Sequence, residues 1–229
     1  DTLTNIESVD FSDVSWALVL NGDAKANVLK GGTGDDTIYG GIGDDVLAGG
    51  GGSDVVEAGA GNDVVIHMAN TVAADGGEGN DTFFVDIADK SYAAILSERN
   101  VSVEMDFVAE THRAFNATTG EYFGTGDDTV RNFENFKLSG DISAKVFGDA
   151  NANNIITDNG DDLIDGGLGA DQISTGDGND TVVIRKGDGG DTIVEADMIS
   201  DFTNGSDLIA LHNLDYSDLT IEQGLGDYV

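Results

Sequence analysis

"GGTGDDTIYGGIGDDVLAGG", residues 31–50, sets out a glycine-rich turn, a pair of aspartates and a short apolar step, then repeats the arrangement nine residues later. Two Asp side chains in every nine residues repel one another. The chain has few lysines or arginines to offset them: 44 acidic against 10 basic residues in 229 leave a net charge of −34. The pattern therefore calls for a cation from outside the chain.

Counted in nines, the register runs unbroken from Gly22 to Phe84, with blocks starting at Gly22, Gly31, Gly40, Gly49, Ala58, His67 and Gly76. The sixth position reads Asn27, Asp36, Asp45, Asp54, Asp63, Val72 and Asp81. The eighth reads Leu29, Ile38, Leu47, Val56, Val65, Ala74 and Phe83. The block "HMANTVAAD" at 67–75 keeps the spacing but has lost its glycines and its sixth-position acid. A second register starts at Gly148, with Asn153, Asp162, Asp171 and Asp180 sixth and Ile155, Ile164, Ile173 and Val182 eighth; a shifted copy at 186–194 puts Asp191 and Ile193 in those roles. A longer period lies above this one, since "DTLTNIESV" at 1–9 matches "DTVRNFENF" at 128–136.

These blocks fit the nonapeptide G-G-x-G-x-D-x-U-x of calcium-binding parallel β-helices. The chain resembles the repeats-in-toxin (RTX) β-roll proteins of Gram-negative bacteria, over residues 22–84 and 148–194. The resemblance implies an all-β fold, a right-handed parallel β-roll (a calcium-binding β-solenoid), with two roll segments, an inserted β segment and a C-terminal β cap. The expected divisions are a lead-in strand at 1–21, a first roll at 22–84 and an insertion with a second lead-in at 85–138. A second roll at 139–194 and capping strands at 195–229 complete the chain.

In such a roll each block is a six-residue turn and a three-residue strand, and two blocks make one coil. Turns two blocks apart then stack, and sixth-position acids 18 residues apart share one ion. Calcium takes six to eight oxygens, mixing carboxylates with backbone carbonyls. The implied pairs are Asp36–Asp54, Asp45–Asp63, Asp63–Asp81, Asp162–Asp180 and Asp171–Asp191, with weaker sites at Asn27–Asp45 and Asn153–Asp171. Val72 leaves its positions incomplete. Turn carbonyls are expected from Gly31, Thr33, Gly40, Ile42, Gly49, Gly51, Gly59, Gly61, Gly77 and Gly79 in the first roll, and from Gly166, Leu168, Gly176 and Gly178 in the second. Roughly five to seven ions are expected on this reading. The fifth-position acids Asp35, Asp44 and Asp161 read as solvent-facing charge, and the eighth-position residues as core.

Other chemistries find little support. The acidic surface repels nucleic acid and anionic membranes, and no apolar run is long enough to span a bilayer. Without cysteine there is neither a disulfide nor a thiolate metal site. His67, His112 and His212 are isolated in sequence, so no H-E-x-x-H helix exists, and "GGSDV" around Ser53 lacks the nucleophile elbow. The chain thus reads as non-catalytic and monomeric. It begins at Asp1 and ends in "GLGDYV", which reads as part of a longer protein whose neighbouring domains are its partners. The expected role is a calcium-folded structural segment of a large secreted or surface protein, adhesin-like, exported by type I secretion. The alternative is the repeat region of an exported enzyme or toxin.

Within the insertion, "VSVEMDFV" alternates as a half-buried strand through Val101, Val103, Met105 and Phe107, and "NATTGEYF" reads as a turn into another strand. The outward residues Val46, Val64, Ile66 and Phe84 would form an apolar stripe. The expectation is that the inserted strand lies over that stripe.

Overall fold

The structure is a computed structural model, and it describes residues 2–67, 72–87, 101–116, 118–119, 128–188, 196–203 and 205–214. Short strands recur wherever an eighth-position apolar residue sits between two outward neighbours. In the first block this gives β4 (Val28–Lys30), whose central Leu29 is buried. Glycine-rich turns keep most strands of the repeats to three to five residues, although those at Thr37–Ile42, Asp54–Ala60 and Val72–Glu78 run on through their glycines.

One sheet is built, in spatial order, from β1 (Thr2–Thr4), β3 (Val19–Asn21), β5 (Thr37–Ile42), β7 (Asp54–Ala60) and β9 (Val72–Glu78). It continues through β13 (Asp128–Arg131), β12 (Thr111–Asn116), β11 (Val101–Asp106), β15 (Ala144–Phe147), β17 (Leu163–Asp165), β19 (Thr181–Arg185) and β21 (Leu208–His212). The other sheet runs β2 (Ser8–Asp10), β4, β6 (Val46–Ala48), β8 (Val64–His67), β10 (Thr82–Asp86), β14 (Asn135–Ser139), β16 (Asn154–Ile156), β18 (Gln172–Ser174) and β20 (Met198–Ile199). Pairing is parallel at a step of 18 residues: Val28 beside Val46 beside Val64 beside Thr82, and Thr37 beside Val55 beside Ala73. This is the stacked parallel β-roll that the repeat predicts. Its core is a narrow file of inward side chains, among them Leu29, Ile38, Leu47, Val56, Val65, Phe83, Phe136, Val146, Ile155, Ile164, Ile173 and Val182. Burial between the two facing sheets of a thin stack suits β-branched and aliphatic residues.

The insertion corrects one expectation. Its described strands do not lie over the Val46, Val64, Ile66 and Phe84 stripe. Strands β11 and β12 form an antiparallel hairpin set edge-on into the first sheet, β12 against β13 and β11 parallel to β15. The alternation did mark the inward residues, since Val103, Met105 and Phe107 are in the core together with Phe115. The stripe is instead half-buried by its own neighbours along the sheet. Lys137, paired beside Phe84, holds its Nζ 4.9 Å above that ring. The strand expected after "NATTGEYF" falls largely outside the described residues.

The lead-in match is visible in the backbone. Asn5 and Asn132 occupy equivalent corners and both turn with φ of 56°, a left-handed conformation that asparagine tolerates. At the C-terminal side β20 and β21 extend the two sheets in parallel with β18 and β19, as further rungs. Among the described residues no helix is long and apolar enough to cross a membrane.

Candidate metal centre

The sixth-position side chains stand in two rows, one along each edge of the stack, just ahead of the strands. Asn27, Asp36, Asp45, Asp54, Asp63, Asp81, Asn153, Asp162, Asp171 and Asp180 are all buried. Burying carboxylates with no opposing charge is costly, so what satisfies them decides the chemistry.

Each acid uses at least one oxygen within the protein, and Asp36 uses both, Oδ1 accepting the Leu18 N–H at 2.8 Å and Oδ2 the Gly32 N–H at 2.7 Å. Asp54 Oδ1 accepts the backbone N–H of Asp36 at 2.9 Å, Asp63 that of Asp45 at 2.7 Å, Asp81 that of Asp63 at 2.8 Å and Asp180 that of Asp162 at 2.9 Å. Asp45 and Asp171 do the same for Asn27 and Asn153. The structure thus brings the stacked pairs together. In six of these acids the second oxygen is left over: the Oδ2 atoms of Asp45, Asp63, Asp81, Asp162, Asp171 and Asp180 are buried and have no hydrogen-bond partner among the described residues. Six orphaned carboxylate oxygens, all in the same position of the repeat, fit a cation that prefers oxygen.

The first-position glycine shapes the cradle around these atoms. A Cβ at Gly31 would lie 2.3 Å from Asp36 Oδ2, at Gly40 2.5 Å from Asp45 Oδ2, and at Gly166 2.2 Å from Asp171 Oδ2. A methyl group would therefore occupy the space beside the free oxygen of Asp45 or Asp171, and at Gly31 it would crowd the Asp36 oxygen that accepts the Gly32 N–H. The second-position glycines serve the stacking itself: Gly59 has φ of +118°, and a Cβ there would meet the Gly41 carbonyl at 2.2 Å. Thr33, Ile42 and Leu168 spend their amides on the preceding coil, donating to the carbonyls of Val14, Asp23 and Asp149.

Electrostatics agree with this fit. Burial, together with the like charges of neighbouring acids, pushes Asp45 and Asp81 up to about 6 and Asp171 to about 7. Asp54 and Asp162 rise to about 6 for the same reason, and Asp63 and Asp180 are raised as well. A bound cation reverses that logic by favouring the charged form. Calcium would be held by these carboxylates with turn carbonyls, supplying positive charge where the two sheets meet the turns.

Several features escape a count in nines. Asp191 lies outside the described residues, and the acid whose Oδ1 accepts the Asp171 amide is Asp197, at 3.1 Å. Asp207 does this for Asp180 and Glu134 for Asp81. All three continue a row after a break in the period, so spacing alone could not find them. The two asparagines are satisfied without an ion: Asn27 Oδ1 accepts the Asp23 N–H at 2.9 Å, and Asn153 Oδ1 that of Asp149 at 3.0 Å. The fifth-position acids are exposed, and they also clip rung to rung. Asp35, Asp44 and Asp161 accept the backbone N–H groups of Ser53, Asn62 and Asn179, each 18 residues further on.

Comparison with known proteins gives the same reading. The sequence profile of the RTX calcium-binding nonapeptide repeat matches residues 19–47, 39–67 and 147–182. No curated protein matches the chain. Residues 19–67 and 147–182 are thus RTX calcium-binding nonapeptide repeats, stacked here into a parallel β-roll.

Proposed function

We propose that this calcium-binding repeat module is a non-catalytic structural segment of a large secreted or surface protein, and that calcium switches it from an open chain to a folded rod. The six buried carboxylate oxygens that no described protein group satisfies carry this reading. With a net charge of −34 and a core one side chain thick, the metal-free fold is opposed by its own charge. Extracellular calcium modules bind with Kd of about 10⁻⁴ to 10⁻³ M. At ten times Kd each independent site adds about 1.4 kcal/mol, so five to seven sites add roughly 7–10 kcal/mol. That matches the whole stability of an ordinary domain, ~5–15 kcal/mol. Cytosolic calcium lies far below these Kd values, so the chain would stay open inside the cell and fold outside. This suits export by type I secretion, of which such repeats are typical. The paired carboxylates are committed to stacking and to the ion, which favours a structural role over acid–base catalysis.

The test is circular dichroism titrated from EDTA into millimolar calcium. The expected result is a cooperative gain of β signal with a midpoint in the submillimolar to millimolar range. Full native signal in EDTA would overturn the switch.

A further inference from the structure

One coil breaks the calcium pattern, and what replaces it is a different set of donors. In block 67–75 histidine stands where the repeat has its first glycine, and valine where it has its acid. His67 ends β8 in one sheet. His112 lies on β12 of the inserted hairpin in the other, paired in register with Asp128 at the head of β13. Asp128 occupies a sixth position of its own, since "GDDTV" at 126–130 repeats "GDDTI" at 34–38. All three side chains are buried, with relative exposures of 5%, 1% and 8%.

Both imidazoles address the same carboxylate oxygen. His112 Nδ1 is 3.0 Å from Asp128 Oδ2 and His67 Nε2 is 3.5 Å from it. The three donor atoms lie within 4.8 Å of one another. In a tetrahedral zinc site with bonds of about 2.0–2.1 Å, donors sit about 3.3 Å apart, so two of these edges are already near length. Aromatic rings wall the cluster: Phe83 stacks on His67 and tilts against His112, and Phe133 packs on Phe83. The His112 ring meets the cluster through Nδ1, while its Nε2, on the far side of the ring, is buried with no partner among the described residues. Burial also holds the His67 imidazole down to about 3, leaving it in the neutral form that binds metals.

The geometry points to a second kind of metal site, in which His67, His112 and Asp128 bind one zinc-class divalent ion where the calcium ladder is interrupted. Two nitrogens and one carboxylate suit zinc, nickel or copper and give calcium too few oxygens. Such an ion ties β8 of one sheet to the hairpin and β13 of the other.

The experiment uses the full chain saturated with calcium, so that exposed acids are already occupied. Zinc is titrated calorimetrically, and cobalt(II) serves as the spectroscopic probe. The expected result is one equivalent of zinc retained through dialysis against calcium, with the intense visible bands of tetrahedral cobalt. His67→Gln and His112→Gln should abolish that equivalent, Asp128→Asn should weaken it at least about tenfold, and His212→Gln, an exposed histidine, should leave it unchanged. If a variant fails to fold on calcium, the wild-type cobalt spectrum decides alone. Pale octahedral bands, zinc displaced by calcium, or equal zinc binding by the His67→Gln/His112→Gln double variant would each overturn the site.

Discussion

Asp45→Asn should change the stability of the roll in opposite directions with and without calcium. Asp45 is 1% exposed, with Oδ1 on the Asn27 amide and Oδ2 unpartnered. Keeping it ionised in the metal-free fold costs the difference between an ordinary carboxylate at 3.8 and a buried one at about 6. Two pKa units correspond to about 3 kcal/mol, and water reaching the turn screens this to on the order of 1–2 kcal/mol. Asparagine removes the charge, and the chain shows that it fits. Asn27, one coil earlier, takes the N–H of Asp23 and returns a bond to the Asp23 carboxylate. In calcium the same change weakens two stacked sites, each worth about 1.4 kcal/mol at ten times Kd, so up to ~3 kcal/mol is lost. Urea unfolding followed by circular dichroism near neutral pH, in EDTA and in millimolar calcium, reads both signs. An excluded osmolyte can be added to both arms to populate the metal-free fold. Loss of stability in EDTA, or the same shift in both arms, would refute the claim that buried unpaired charge is what calcium relieves.

Acidification should act on the metal-free chain in the same sense. The folded-state values of Asp45, Asp54, Asp81 and Asp162 are raised from 3.8 to about 6, so the fold binds more protons than the open chain between those values. Stability in EDTA should therefore fall as pH rises through that window, and a metal-free stability that does not change with pH there contradicts this. Gly40→Ala places a methyl 2.5 Å from Asp45 Oδ2 and 2.4 Å from the Ala58 carbonyl, so it should remove about one calcium from the stoichiometry measured by calorimetry. Asp44→Ala loses only an exposed clip to the Asn62 amide and should shift the calcium midpoint by less than about twofold, far less than Asp45→Ala. Monovalent salt, by screening the acids, should compact the EDTA form, measured as a smaller hydrodynamic radius.

The step of nine made the stack legible, because inward residues such as Leu29, Leu47 and Val65 and the sixth-position acids all follow from one count. What it could not supply was destination. Alternation in "VSVEMDFV" says that Val103 and Met105 are buried, and it is silent on which sheet receives them. Strand β12 was missed because "THRAFN" carries a histidine and an arginine among its few apolar residues. Asp128 was hidden for a related reason: its "GDDTV" stands alone, with no glycine-led block before it to put it in phase. Glu134, Asp197 and Asp207 extend the rows from outside the period, so only the folded chain shows them in line.

The coil-to-coil hydrogen bonds of the sixth-position acids all point one way along the rod. Each coil's amide is closed by a carboxylate belonging to a later coil, from Leu18 closed by Asp36 through to Asp180 closed by Asp207. The stack is therefore vectorial, and a coil is finished only when its successor arrives. The number of coils can vary at nearest-neighbour cost, while the last ones depend on a terminator outside the repeat, here Asp197 and Asp207. Coils could be added or deleted in the middle with little consequence, whereas a cut between Asp180 and Asp197 leaves two open amides at a growing end and invites another strand to dock there.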